Sequence, residues 1–265
     1  MTEAATASWS VKRRIVALFV LCGLLPVAAT MLVSSAHVED ALVAQRVALL
    51  RGAASNYATV LFDRLSIADR LAYTVSASGR RPTGTEVMGR HFRAMVAIEA
   101  GRARVLFGEP SRMPTAGDIA GAERSPLAGG GRLIVFSDGQ AATGIWIVVQ
   151  EQESPSSQLV FEVDPGYLWA PHDEMPYLTD MCVITAWGQL LDSPRPPPAA
   201  EFGPSRSGTG DLKRADFKWD SDGVTYLSGI RELFLGGRFG AGSWLDDASQ
   251  PEEYALEPVR SVPAV

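Results

Sequence analysis

The residues able to do chemistry are few and scattered. His37, His91 and His172 share no ligand spacing, no H-E-x-x-H run occurs, and two cysteines in 265 residues cannot build a zinc cluster. Asp164, Asp173 and Asp180 lie near one another in sequence, and paired carboxylates can exchange protons. Nothing in their spacing gives them a common cleft. No G-x-S-x-G elbow presents a nucleophilic serine. Gly236–Gly242 (GGRFGAG) is the most nucleotide-like stretch. It lacks the Lys-Ser/Thr pair of a phosphate loop, and Ser243-Trp244-Leu245 after it has no helical pattern, so it reads as a hairpin or bulge loop. No catalytic residue, metal ligand or cofactor is assigned, and the chain is not expected to be an enzyme.

Binding chemistry has more support. Trp146, Tyr167, Trp169, Tyr177 and Trp187 fall at expected strand ends or between two strand-rich stretches. Aromatics of this kind serve cores, and as a group they also line small-ligand pockets, which need apolar walls and a few polar anchors. The candidate anchors are Arg93, Asp164 and Asp180.

These residues must be positioned by elements legible from periodicity. Ile15–Ser34 is uncharged and, at 1.5 Å per residue, about 30 Å long, the thickness of a bilayer core. Lys12, Arg13 and Arg14 precede it, which places residues 1–14 in the cytoplasm and the bulk of the chain outside. We read 15–34 as an uncleaved anchor. A signal peptide cut after Ser34-Ser35-Ala36 is the alternative, although signal cores are usually shorter. Residues 37–78 carry Val47, Leu50, Ala54, Tyr57, Leu61, Ala68, Ala72 and Val75 at three- and four-residue steps, the pattern of a long amphipathic helix continuing the anchor.

Beyond Gly84 the pattern turns strand-like. Five strands (92–98, 103–107, 132–136, 143–150, 158–163) precede the Asp164-Pro165 turn, and five more follow it (181–186, 189–191, 213–220, 224–235, 243–249). Gly101, Ser137-Asp138-Gly139 and Ser221-Asp222-Gly223 mark hairpins. Helix first and strands after, with hairpin links, predict an α+β chain with antiparallel sheets. The net charge of −6, with no polybasic tail, argues against a nucleic-acid partner.

Val160-Phe161-Glu162-Val163-Asp164-Pro165 running into Leu168-Trp169, then Asp180–Ile184 followed by Gly188–Leu191, carry a family resemblance. Arg231–Leu235 and Ala248–Pro251 extend it. Over roughly residues 12–258 the chain resembles a double Cache sensor, the PAS-like extracytoplasmic region of membrane-bound GGDEF and EAL signalling proteins. The resemblance implies two PAS-like antiparallel five-strand units behind a long membrane-to-periplasm helix. The expected boundaries are a membrane-distal unit at 85–164, a membrane-proximal unit at 165–258 and a tail at 259–265. It implies a single-pass inner-membrane protein whose periplasmic region binds an unidentified small molecule. The sequence holds no GGDEF or EAL signature, so the expectation is an output-less or truncated relative of cyclic-di-GMP receptors, acting as a homodimer or with a membrane signalling partner. The arginine–tryptophan–tyrosine signature of the amino-acid-binding Cache subgroup is not visible, so no ligand class is assigned. The alternative is a periplasmic structural or interaction protein that dimerises through its long helix and binds no ligand.

Overall fold

A computed structural model describes residues 11–78, 85–120, 131–137, 143–150, 157–169, 178–186, 188–195 and 216–254. The chain divides into two units, one holding the N-terminal helical segment up to Arg46 and the other spanning Val47–Glu252. In the N-terminal segment, α1 (Val11–Phe19), a π-helical turn (Val20–Leu24) and the start of α2 (Leu25–Ala77) follow one another. Val11–Met31 is long and apolar enough to cross a membrane, with none of it buried.

Within Val47–Glu252, α2 supplies one continuous apolar stripe. Val47, Leu50, Ala54, Tyr57, Leu61, Ala68, Ala72 and Val75 are all buried, as the three-four spacing requires, and Leu65 completes the row. Two five-stranded antiparallel sheets carry the rest. The first holds β1 (Phe92–Glu99), β2 (Arg102–Gly108), β3 (Arg132–Ser137), β4 (Thr143–Gln150) and β5 (Ser157–Val163) in the order β2-β1-β5-β4-β3. The second holds β6 (Asp180–Thr185), β7 (Leu190–Asp192), β8 (Asp216–Ser221), β9 (Val224–Leu233) and β10 (Trp244–Pro251) in the order β7-β6-β10-β9-β8. Each sheet repeats one topology: a hairpin, a crossover to the far edge, and a return that pairs the last strand with the first. The fold is α+β, as the element order predicts.

The turn residues act where expected. Ala100-Gly101 and Asp222-Gly223 both have positive φ (48° and 77°, 53° and 78°), the two-residue hairpin geometry matched to strand twist. Asp138-Gly139 lies outside the described residues. Two short helices depart from the sequence reading. α3 (Thr85–His91) forms before β1, braced by an exposed Arg90–Glu86 ion pair at 2.8 Å. The glycine-rich stretch read as a loop is closed by a one-turn helix, α6 (Gly236–Phe239), which ends at left-handed Gly240; the strand before it stops at Leu233 rather than Leu235. With α4 (Ala116–Ala120) and α5 (Pro165–Leu168), these complete the described elements.

The helix side of each sheet is set by close approach. A Cβ on Gly229 of β9 would lie 2.4 Å from the Arg51 amide nitrogen and 2.8 Å from the Leu50 carbonyl carbon, so the second sheet touches α2 backbone there. A Cβ on Gly131, just before β3, would lie 2.7 Å from Asp69 Oδ1 and 2.6 Å from Ile147 Cγ2. The first sheet therefore packs its Ile147 and Val149 side on the later turns of α2. Side chains alternate along a strand, so Trp146 and Val148 point away from the helix.

Candidate functional site

The face of the first sheet turned away from α2 holds a buried cluster of Val96, Ile98, Phe136, Trp146, Val148 and Val160, with Ile119 of α4 packed over it. Trp146 is fully buried and meets Phe136 edge-on, ring centroids 5.8 Å apart. Its indole Nε1 is buried with no hydrogen-bond partner among the described residues. Leaving such a donor unpaired costs about 1–3 kcal/mol, a reason to look for what it serves. Gly144 makes room for the indole edge, since a Cβ there would lie 2.5 Å from Nε1.

Directly across the ladder from Trp146 is Glu162, 2% exposed. The Ser111 amide donates to its Oε2 at 2.8 Å, bringing the chain between β2 and α4 over the sheet. That segment is itself built. Asp118 accepts from the Thr115 hydroxyl at 2.7 Å and amide at 2.8 Å, and pairs with Arg112 at 3.3 Å. The Thr115 hydrogen bonds, with Arg112 adding to them, hold the Asp118 carboxyl below its ordinary range. Arg112 also lies over the Phe136 ring, 5.5 Å from its centroid. A buried carboxylate, an unpartnered indole N–H, an arginine and aromatic walls thus converge under one loop. This set can accept a small molecule that offers an acceptor to the indole and a donor to the carboxylate.

The residues singled out from sequence are not brought to one place. Trp146 alone belongs to this cluster. Arg93 sits at a bulge of β1 opposite Glu162 and Val163, exposed, its Nε donating to the Glu109 carbonyl at 3.3 Å. Asp164 caps α5, accepting from the Tyr167 amide at 2.9 Å. The Tyr167 hydroxyl donates to the Arg64 carbonyl at 3.0 Å, and Arg64 Nη1 donates to the Leu168 carbonyl at 2.8 Å, so α5 is pinned to α2. Trp169 meets Trp244 of the second sheet at 6.0 Å. Asp164, Tyr167 and Trp169 therefore join the link between the sheets to the helix. Asp180 starts β6 and pairs with Arg195 at 3.2 Å. Tyr177 and Trp187 lie outside the described residues.

On the second sheet the equivalent face carries a chain of side-chain contacts. Trp219 stacks on Tyr226 (4.4 Å, 15°) and donates to Ser228 Oγ at 2.8 Å, Ser228 bonds Asp247 at 3.4 Å, and the Arg195 guanidinium covers Tyr226 at 5.1 Å. The opposite face holds Asp246, fully buried, with neither carboxylate oxygen bonded among the described residues; burial pushes its carboxyl up to about 8. No group of three or more potential metal ligands occurs among the described residues.

Glu162, Ser111 and Asp246 were not singled out from sequence. The only local signal was a carboxylate at an inward position of an apolar strand, in Val160-Phe161-Glu162-Val163 and in Leu245-Asp246.

No family model and no curated protein matches the chain. Solved structures do. The ligand-binding domain of the Pseudomonas fluorescens chemoreceptor CtaA, in complex with L-isoleucine, matches at TM-score 0.54 and 15% identity, over 85% of this chain and 98% of that one. The chain has the fold of receptor ligand-binding domains. The ligand-binding domain of the Pseudomonas aeruginosa amino-acid chemoreceptor PctB, in complex with L-Gln, matches at TM-score 0.51 and 10% identity, over 82% and 99%. A domain of a sensory box/GGDEF family protein from Vibrio parahaemolyticus matches at 0.50 and 11%, over 82% and 98%.

Proposed function

We propose that the chain is a membrane-anchored extracytoplasmic sensor module, and that its small-molecule signal binds on the outward face of the first sheet, between Trp146, Glu162 and the segment 109–118. The observation that carries this reading is the buried indole N–H of Trp146, without a partner among the described residues, facing the buried Glu162 carboxylate across the ladder, beneath a covering loop. The likeness to chemoreceptor ligand-binding domains supports it. Action is by binding: a ligand that favours one arrangement of sheet and helix shifts the population toward it. Helix α2 is the element that would pass this on. The anchor at 15–34 sets the module in the inner membrane with its N-terminus cytoplasmic, as the Lys12-Arg13-Arg14 flank favours. The GGDEF-family neighbour supports, at the level of fold, kinship with cyclic-di-GMP receptors; the chain itself is expected to make and degrade no cyclic-di-GMP.

A thermal-shift screen of the detergent-solubilised chain tests the reading. Because neighbours were solved with amino acids, the twenty amino acids form the first panel and general metabolites the second. A ligand at a hundredfold excess over its Kd stabilises by about 2.7 kcal/mol, a shift on the order of 5 °C. Both Trp146→Phe and Glu162→Gln should reduce the shift of any hit by more than half. A hit whose shift survives both substitutions places the ligand elsewhere. No hit in either panel favours the interaction-protein alternative.

A further inference from the structure

Asp69 lies on the buried stripe side of α2, 4% exposed, and its two carboxylate oxygens serve different sheets. Oδ1 accepts from the Gly131 amide at 2.7 Å. Gly131 immediately precedes β3, whose Phe136 walls the Trp146 cluster. Oδ2 accepts from Arg238 Nη2 at 3.0 Å. Arg238 belongs to α6, in the connection between β9 and β10 of the second sheet. The neighbouring Phe239 is buried and meets Phe62 of α2 edge-on at 5.9 Å, so α6 is seated on the helix by packing as well as by charge. A Cβ at Gly131 would lie 2.7 Å from the accepting Oδ1 and 2.6 Å from Ile147 Cγ2, so a side chain there would have to push these atoms aside.

We infer that Asp69 is a coupling residue through which the two sheets respond as one body about α2; this rests on the sensor reading and names how its site is linked to the rest of the module. The physical basis is that a buried carboxylate needs its countercharge and its hydrogen bonds together. Arg238 holds the Asp69 carboxylate oriented for Gly131, and the Gly131 amide fixes the carboxylate plane for Arg238. Weakening either bond weakens the other, so a displacement of β3 by events at the Trp146–Glu162 face changes the footing of α6. The glycine-rich stretch that resembles a phosphate loop in sequence thus serves as the second sheet's hold on the helix.

Hydrogen exchange on the full chain in detergent micelles, with no ligand, tests the coupling independently of whether a ligand is found. Arg238→Gln is the decisive variant, because no hydrogen bond or ion pair among the described residues joins Arg238 to the first sheet. Exchange in peptides covering 131–137 should accelerate about tenfold, the scale of one charge-assisted hydrogen bond. The β8–β9 turn, 221–225, should stay at wild-type rates. Arg238→Lys should restore most of the protection. Asp69→Asn should accelerate 131–137 and 236–244 together. Wild-type rates at 131–137 in Arg238→Gln, or an equal acceleration at 221–225, overturn the inference: the first shows that the two bonds are independent, the second that the variant only loosens the fold.

Discussion

At the scale of single residues, two buried groups carry the unusual chemistry. Trp146 separates into two functions, a ring that fills the core and an N–H that has no partner among the described residues. Trp146→Phe keeps most of the ring volume and removes the unpaired donor, so unliganded stability should change by less than about 1.5 kcal/mol. Trp146→Ala should cost about 3–5 kcal/mol. Chemical denaturation of the two variants checks the contrast, and equal losses would show that the indole N–H, and not the ring volume, supplies the stability. Asp246 gives a pH dependence of defined sign. Its folded pKa is raised to about 8 by burial, against 3.8 for an ordinary Asp, so between these values the folded state holds a proton that the unfolded state releases. Stability from this group is fully present below about pH 4. It falls as pH rises, by at most about 1.4 kcal/mol per pH unit, and levels off above pH 8. Asp246→Asn should flatten that slope and raise the melting temperature at pH 8. A variant with the wild-type slope would assign the pH dependence to other groups.

At the scale of elements, α2 is the common surface, and glycine governs how closely strands approach it. Gly229→Ala puts a methyl 2.4 Å from the Arg51 amide, where only backbone movement can make room; a loss of 2 kcal/mol or more is expected. Gly52→Ala, at the residue next to Arg51, meets nothing within 4 Å and lies in a helix interior, so it should stabilise by about 0.5–1 kcal/mol. Measured side by side, the opposite signs would locate the contact between β9 and the helix; equal effects would deny it.

For the whole molecule, the N-terminal apolar helix has the length to span a bilayer. The chain should fractionate with membranes and resist extraction by high salt or alkaline carbonate. Mass spectrometry of the extracted protein should find the N-terminal residues still attached. A mature chain that begins at His37 would replace the anchor with a signal peptide.

Periodicity alone determined a large part of this protein. The three-four stripe from Val47 to Val75 predicts a helix whose buried residues are those of the structure, and alternating strands bounded by turn residues place all ten strands within a few residues of their ends. Both are local signals, because helix and strand each repeat over a few residues and Asp-Gly or Ala-Gly favours positive φ wherever it occurs. The site was mostly illegible. Asp164, Tyr167 and Trp169 stand out in the sequence as polar or aromatic residues near a turn; the Asp164 cap on the Tyr167 amide is local, whereas the Arg64 carbonyl and Trp244, which Tyr167 and Trp169 meet, are far away in sequence. Glu162 becomes notable only when strand pairing sets it opposite Trp146, sixteen residues back. Asp69 likewise gains its role from Gly131 and Arg238, which no local pattern relates to it. Sheet order and the packing of both sheets on one helix decided these encounters, because a residue's partner across a ladder or an interface is set by topology and not by its neighbours in the chain.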